Sequence, residues 1–206
     1  MGGGNSNTVS GDYATVGGGY SNTAAGDYSF AAGRRAKANA NGTFVWADNT
    51  NADFTSSTAN EFAVRATGGV RFVTAADGSS GATLPIGGGG WSITSDRNAK
   101  ANFVPVDSQD VLSKVAALPL STWNYKTQDA KIRHMGPMAQ DLYQAFGLGE
   151  DEKHISTIDA DGVALAAIQG LAQQAQTQQA QLETQQAEIT LLKERLTTLE
   201  ALLKQK

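Results

Sequence analysis

Apolar and polar positions change their rhythm along this chain. Residues 2 to about 42 hold neither a helical stripe nor steady strand alternation, but small and turn-forming residues return at a 15-residue offset. Gly2-Gly3-Gly4-Asn5-Ser6-Asn7-Thr8-Val9-Ser10-Gly11-Asp12-Tyr13 recurs as Gly17-Gly18-Gly19-Tyr20-Ser21-Asn22-Thr23-Ala24-Ala25-Gly26-Asp27-Tyr28. A degenerate third copy starts at Ala32-Gly33 and ends near Gly42-Thr43-Phe44. Short repeats with Gly at fixed offsets predict a β-solenoid, with glycines at corners where φ is positive. Ala14, Ala24 and Ala31 suit its thin interior. A disordered Gly/Ser/Asn linker is the alternative, and the regular spacing argues against it.

From residue 43 to 90 the pattern turns to short strands. Phe44-Val45-Trp46, Phe62-Ala63-Val64-Arg65-Ala66 and Val70-Arg71-Phe72-Val73-Thr74 read as short strands, and Thr67-Gly68-Gly69 as a turn joining the last two. One chain has too few apolar positions to bury these strands, which predicts an intertwined stalk of three copies. Gly87-Gly88-Gly89-Gly90 reads as a hinge before Trp91. Beyond it, helical spacing links Val111, Leu112, Val115 and Leu118 up to Pro119. Ser121 to Tyr125 suits a strand, and Met138 to Phe146 a short helix ended by Gly147.

The final segment carries heptads. With Ile168, Ala175, Leu182, Ile189, Leu196 and Leu203 at a, position d holds Leu171, Gln178, Gln185, Leu192 and Leu199. The stretch 168–206 makes a helix about 58 Å long. Glu188 with Lys193, and Arg195 with Glu200, fall at g and the following e, where ion pairs between helices form. Ile168, Leu171, Leu182, Ile189, Leu192, Leu196, Leu199 and Leu203 are therefore the candidate trimerisation residues. The other reading is an amphipathic helix folded back on its own domain. The heptads alone do not choose three strands over two.

The resulting fold class is α+β in a multi-part fibrous homotrimer. β-repeats occupy 1–47, an intertwined β-stalk with its Gly hinge 48–90, a small α+β domain 91–167, and the coiled-coil helix 168–206.

Composition narrows the function. Only 7% of residues are aromatic and 40% hydrophobic, so any compact core is modest. A net charge of −4 leaves no electrostatic footprint for nucleic acid. Without Cys, disulfide frameworks and thiolate metal sites are excluded. No apolar run approaches the ~20 residues of a membrane span, and Met1-Gly2-Gly3-Gly4 has no signal-peptide character. No cofactor or metal is expected. The chain opens in the middle of a repeat, which predicts a piece of a longer fibre.

Chemistry concentrates at Ser95-Asp96-Arg97-Asn98-Ala99-Lys100, on the border between the two kinds of sequence. A serine becomes a nucleophile when a base takes its proton, and a lysine serves once burial favours its neutral form. On one helix, a five-residue spacing sets the two side chains about 140° apart. A turn between them, or a contact across a subunit boundary, is required. Asp159-Ala160-Asp161-Gly162 lacks the acidic positions of an EF-hand loop and reads as a helix cap. His154 is expected alone and exposed.

Two resemblances add to this reading. Residues 2 to about 42 resemble, through their Gly-x-x-x-Asn-x-Ala/Val-x-Gly rhythm, the head repeats of trimeric autotransporter adhesins, the YadA-like left-handed β-roll. That implies a trimeric rod, favours three helices in the coiled coil, and suggests adhesion to a host-cell or surface receptor. Residues 95 to about 171 resemble the C-terminal intramolecular chaperone of endosialidase-type phage tail spikes and fibres. The segments that carry this are Ser95–Lys100, Leu118–Lys126, Ile132–Asp141 and Asp161–Ile168. The resemblance implies a domain that trimerises, helps the upstream β-fibre fold and is released by self-cleavage, with the Ser/Lys dyad on Ser95 and Lys100. It also offers His134 as a supporting residue; a half-buried histidine at a strand end is an equal reading. Asp96 and Arg97 either orient the scissile segment or form a surface turn.

The function expected is thus that of the C-terminal part of a trimeric tail fibre or surface adhesin, acting outside the cell or on a virion. It would be a single-turnover serine endopeptidase on its own chain. A trimerisation foot that never cleaves is the alternative. Itself is the expected partner, with no nucleic acid and no membrane insertion in this segment.

Overall fold

The computed structural model describes residues 2–204. The chain is α+β and forms two compact units, with the boundary between Asn102 and Phe103.

In the first unit, eight short strands wind as a β-solenoid. They are β1 (Thr8–Val9), β2 (Thr15–Tyr20), β3 (Thr23–Ala24), β4 (Phe30–Arg34), β5 (Ala36–Ala38), β6 (Phe44–Ala47), β7 (Phe54–Thr55) and β8 (Phe62–Arg65). Odd strands form one parallel sheet and even strands another. Thr8 lies on Thr23, Thr23 on Lys37 and Lys37 on Thr55, so successive coils advance by 15, 14 and 18 residues. Phe30, Phe44 and Phe62 repeat the last two steps in the other sheet. Strand β8, expected in a separate stalk, joins β6 as a coil of this solenoid. Their aromatic residues complete a ladder on its outside, with ring centroids 4.7 Å apart from Phe30 to Phe44 and 4.9 Å from Phe44 to Phe62.

The interior is as thin as the alanines suggest. Val16, Ala24, Ala31, Ala36, Ala38, Val45 and Ala47 are fully buried, and Ala14 packs against them. The largest of the buried polar side chains, Asn22, is fully bonded. Its amide donates to the carbonyls of Gly18 and Gly33 at 3.0 and 2.8 Å, and its oxygen accepts from the Ala36 amide at 2.9 Å. Without those bonds a buried amide costs more than its neighbours return. Corners are less dependent on glycine than expected. Tyr13, Tyr28, Gly42 and Asn60 hold one corner in successive coils with φ near +60°. There the Tyr13 and Tyr28 rings stack at 5.0 Å.

The last coil closes on Arg65. Its guanidinium donates to the carbonyls of Ala52, Thr50 and Arg34 at 2.8, 3.1 and 3.3 Å, and to Asp48 at 3.1 Å. The Asp48 carboxylate also accepts from the Thr67 hydroxyl at 2.6 Å and the Thr67 amide at 2.7 Å. Those bonds, the hydroxyl's first, hold its carboxyl well below the usual carboxylate range. A carboxylate lowered on folding contributes stability that is complete above the ordinary carboxylate pKa and declines as pH falls below it. The urea midpoint of the wild type should therefore drop from about pH 5 to pH 3 more steeply than that of Asp48→Asn. Parallel declines would refute it.

Three more strands follow, β9 (Val70–Val73), β10 (Gly81–Leu84) and β11 (Ser92–Ile93), in an antiparallel sheet of order β11-β10-β9. β9 pairs with β10, not with β8 across the Thr67-Gly68-Gly69 turn. Phe72, Trp91 and Ile93 stay exposed.

The second unit contains α1 (Ser108–Ala117), the antiparallel pair β12 (Ser121–Trp123) and β13 (His134–Gly136), α2 (Ala139–Phe146) and α3 (Thr157–Lys204). Asp107 caps α1 by accepting from the amides of Gln109 and Asp110. α1 gives way at Leu118 before Pro119, and α2 stops at Gly147, as the sequence predicts. α3 starts earlier than expected. Ser156 accepts from the Ile158 amide at 3.2 Å, so Ser156 takes the capping place and Asp159 to Gly162 lie within the helix.

Val163 and Ala167 of α3 bury against Val111 of α1. The Gln109 side chain donates through Nε2 to the Gly170 carbonyl at 2.7 Å. Gln173 Oε1 also accepts from Ser108 Oγ at 3.2 Å and Gln109 Nε2 at 3.1 Å, while every residue from Leu171 to Leu203 is exposed in the single chain. All eight trimerisation candidates, Ile168 included, are among the exposed apolar residues.

Candidate functional site

The Ser95–Lys100 segment lies at the end of the first unit, directly after β11. The Thr94 amide still donates to the Gly81 carbonyl on β10, at 3.2 Å, which fixes the chain entering Ser95. Asp96 is extended (φ −67°, ψ 133°), and Arg97–Ala99 make one turn of 3-10 helix. Lys100 leaves the turn extended again, its amide donating to the Arg97 carbonyl.

This turn resolves the geometric objection to a five-residue spacing. The chain reverses over the 3-10 turn, and Lys100 Nζ meets Ser95 Oγ at 2.7 Å. The contact forms within one chain and needs no subunit boundary. Both residues are exposed.

Asp96 and Arg97 belong to the turn. Asp96 Oδ1 accepts from the Asn98 amide at 2.9 Å and from Asn98 Nδ2 at 3.1 Å. Arg97 opens the 3-10 helix. Asn98 was not singled out by sequence reasoning. Its signal was available: an Asp followed two residues later by a free amide is the pattern of a side-chain-capped turn.

His134 lies in the second unit, at the start of β13. Its ring sits 4.8 Å from Trp123 and 5.6 Å from Tyr125, and Nε2 is 3.0 Å from Gln128 Oε1. Those contacts satisfy it as a half-buried strand residue. His154 is bonded to Asp151, 2.9 Å from Nδ1, not alone as expected, though it is exposed. Among the described residues, no group of three or more His, Asp or Glu is placed to hold a metal ion. Nor, among them, is any helix long and apolar enough to cross a membrane.

Chemically, the pair can do one thing. A neutral lysine amine at this distance can take the serine proton, and the resulting alkoxide can add to a carbonyl carbon. Low-dielectric surroundings favour that neutral form.

Neither the curated proteins nor the solved structures contain a match to this chain. A match does come from the peptidase family described as the chaperone of endosialidase, over residues 95–148. It begins on Ser95, takes in the turn, α1, β12, β13 and α2, and ends before α3. The stretch that starts at the Ser95–Lys100 contact is thus similar to the chaperone of endosialidase.

Proposed function

We propose that this chain is the C-terminal part of a trimeric tail fibre or surface adhesin that carries its own folding chaperone and releases it by cutting next to Ser95. The observation that carries this reading is the 2.7 Å contact between Lys100 Nζ and Ser95 Oγ at the start of the chaperone-like stretch. Lys100, neutral, takes the Oγ proton while Oγ adds to a carbonyl carbon beside it. If the preceding carbonyl is attacked, the intermediate is a five-membered ring. The proton then passes to the departing amide nitrogen, the C–N bond breaks, and water hydrolyses the ester left behind. One bond is cut per chain.

The exposed dyad fits a reaction delayed until assembly. Chains packed around it would supply the surroundings in which a lysine acts as a base. The exposed apolar row from Ile168 to Leu203 supports an assembly through α3. The likeness of residues 2–42 to adhesin head repeats favours three copies.

Such a helper has a physical rationale. β-structure with many non-local contacts folds slowly and exposes strand edges meanwhile. Joining the C-termini first raises the local concentration of the β-segments. Cutting the helper away afterwards leaves a product that cannot retrace its folding route. On this reading the protein acts outside the cell or on a virion, and its β-coils are free to meet a surface receptor.

Denaturing mass spectrometry of freshly expressed protein tests the proposal. The wild type should give two fragments divided next to Ser95, and Ser95→Ala and Lys100→Ala should each stay whole. A whole wild type that is still trimeric by light scattering would identify a permanent foot instead.

A further inference from the structure

We propose that Asp96 is the positioning residue of this dyad, acting through Asn98 and not on the reacting atoms; this rests on the self-cleavage proposed above. No residue of the 3-10 turn is buried. Its own backbone bonds, Ala99 to Asp96 and Lys100 to Arg97, are each 3.2 Å long. Single 3-10 turns have poor hydrogen-bond geometry and little persistence by themselves. The Asp96 carboxylate adds the shorter bond, 2.9 Å to the Asn98 amide, and a second at 3.1 Å to the Asn98 side chain. An ionised acceptor makes such bonds stronger than neutral ones.

The two halves of the dyad have separate anchors. Ser95 follows a residue tied to β10 through the Gly81 carbonyl. Lys100 leaves the turn directly, its amide donating to the Arg97 carbonyl. Asp96 therefore sets the return path of Lys100, although the bonds of its carboxylate go to Asn98 and not to Ser95 or Lys100. An asparagine at this position retains an oxygen that can accept the same amide; an alanine does not.

The test compares Asp96→Ala and Asp96→Asn with wild type by the rate of fragment appearance across pH, with trimer content checked by light scattering. Asp96→Ala should slow cleavage about 10- to 100-fold, the scale of a small misplacement of reacting groups. Asp96→Asn should recover most of that loss with the pH profile of the wild type. Amide hydrogen exchange gives a readout independent of cleavage, measured with and without Asp96→Ala in the Ser95→Ala chain, which should stay whole. Exchange at the Asn98 amide should speed up when Asp96 is lost.

An Asp96→Ala chain that cleaves at the wild-type rate would overturn the inference. So would an Asp96→Asn chain as slow as Asp96→Ala, which would give the carboxylate charge a direct part in the chemistry. A wild type that never cleaves removes the self-cleavage reading, and Asp96 is then decided on exchange: unchanged exchange at Asn98 overturns its positioning role, faster exchange supports it.

Discussion

Gly33→Ala should break the solenoid in its middle. Gly33 has φ +94°, and a Cβ built there would run into the backbone carbonyl of Ala47 on the next coil. The substitution adds left-handed strain to overpacking against backbone that cannot swing aside, together on the order of 2–5 kcal/mol. Coils of a solenoid are stabilised mainly by their neighbours, so damage between the second and third coils uncouples both sides. Urea unfolding followed by circular dichroism should show a lower midpoint, and limited proteolysis should open cuts within residues 15–65. Gly3→Ala is the control. Nothing lies within 4 Å of a Cβ at Gly3, and its midpoint should stay close to wild type. Equal behaviour of the two variants would show that the close approach of Gly33 to Ala47 is unimportant.

Ile189→Asp combined with Leu192→Asp should turn the proposed trimer into monomers. The two side chains occupy adjacent a and d places and are exposed in the single chain. Burying each in an assembly is worth about 1.5–3 kcal/mol, so three copies of the pair lose on the order of 10 kcal/mol or more. Sedimentation equilibrium should report the change in mass, and the two-fragment pattern should vanish with it if cleavage follows assembly. Leu191→Asp separates a seam from general hydrophobicity. Leu191 is equally exposed but falls at position c, off the a/d row, so this variant should remain trimeric. A wild-type monomer or dimer would overturn the three-chain reading.

Much of this architecture was legible from local rules. The 15-residue return, the alanine interior, the helix that gives way before Pro119 and the stop at Gly147 all depend on neighbouring residues. The later coils were harder to read because their spacing changes to 14 and then 18 residues. The residues added in the last coil form the loop from Asp48 to Asp53, and what orders that loop is Arg65, more than ten residues downstream of its end. No repeat search looks for a side chain so distant. The corner tyrosines were missed for a related reason. Left-handed backbone is disfavoured for a residue of that size, and only stacking on the neighbouring coil shows what accompanies it.

At the candidate site, Ser95 and Lys100 were readable as types but not as neighbours. Five residues of helix would have kept them apart, and the sequence does not announce that the helix lasts a single 3-10 turn. The Asp96-to-Asn98 bond supplies that information, and it is a property of side-chain geometry. Likewise α3 was expected to start after a cap at Asp159–Gly162, and it starts at Thr157. Its first turns are held by α1, through Val163, Ala167 and Gly170, with a spacing that the heptad pattern does not describe.

The Arg65 closure separates two properties that a repeat protein often confounds. One guanidinium gathers Arg34, Thr50 and Ala52, so the terminating device is confined to the final coils. A coil duplicated ahead of β2 would leave every one of those bonds in place. Rod length can therefore vary by copying, through inheritance or by design, while the terminus is kept unchanged.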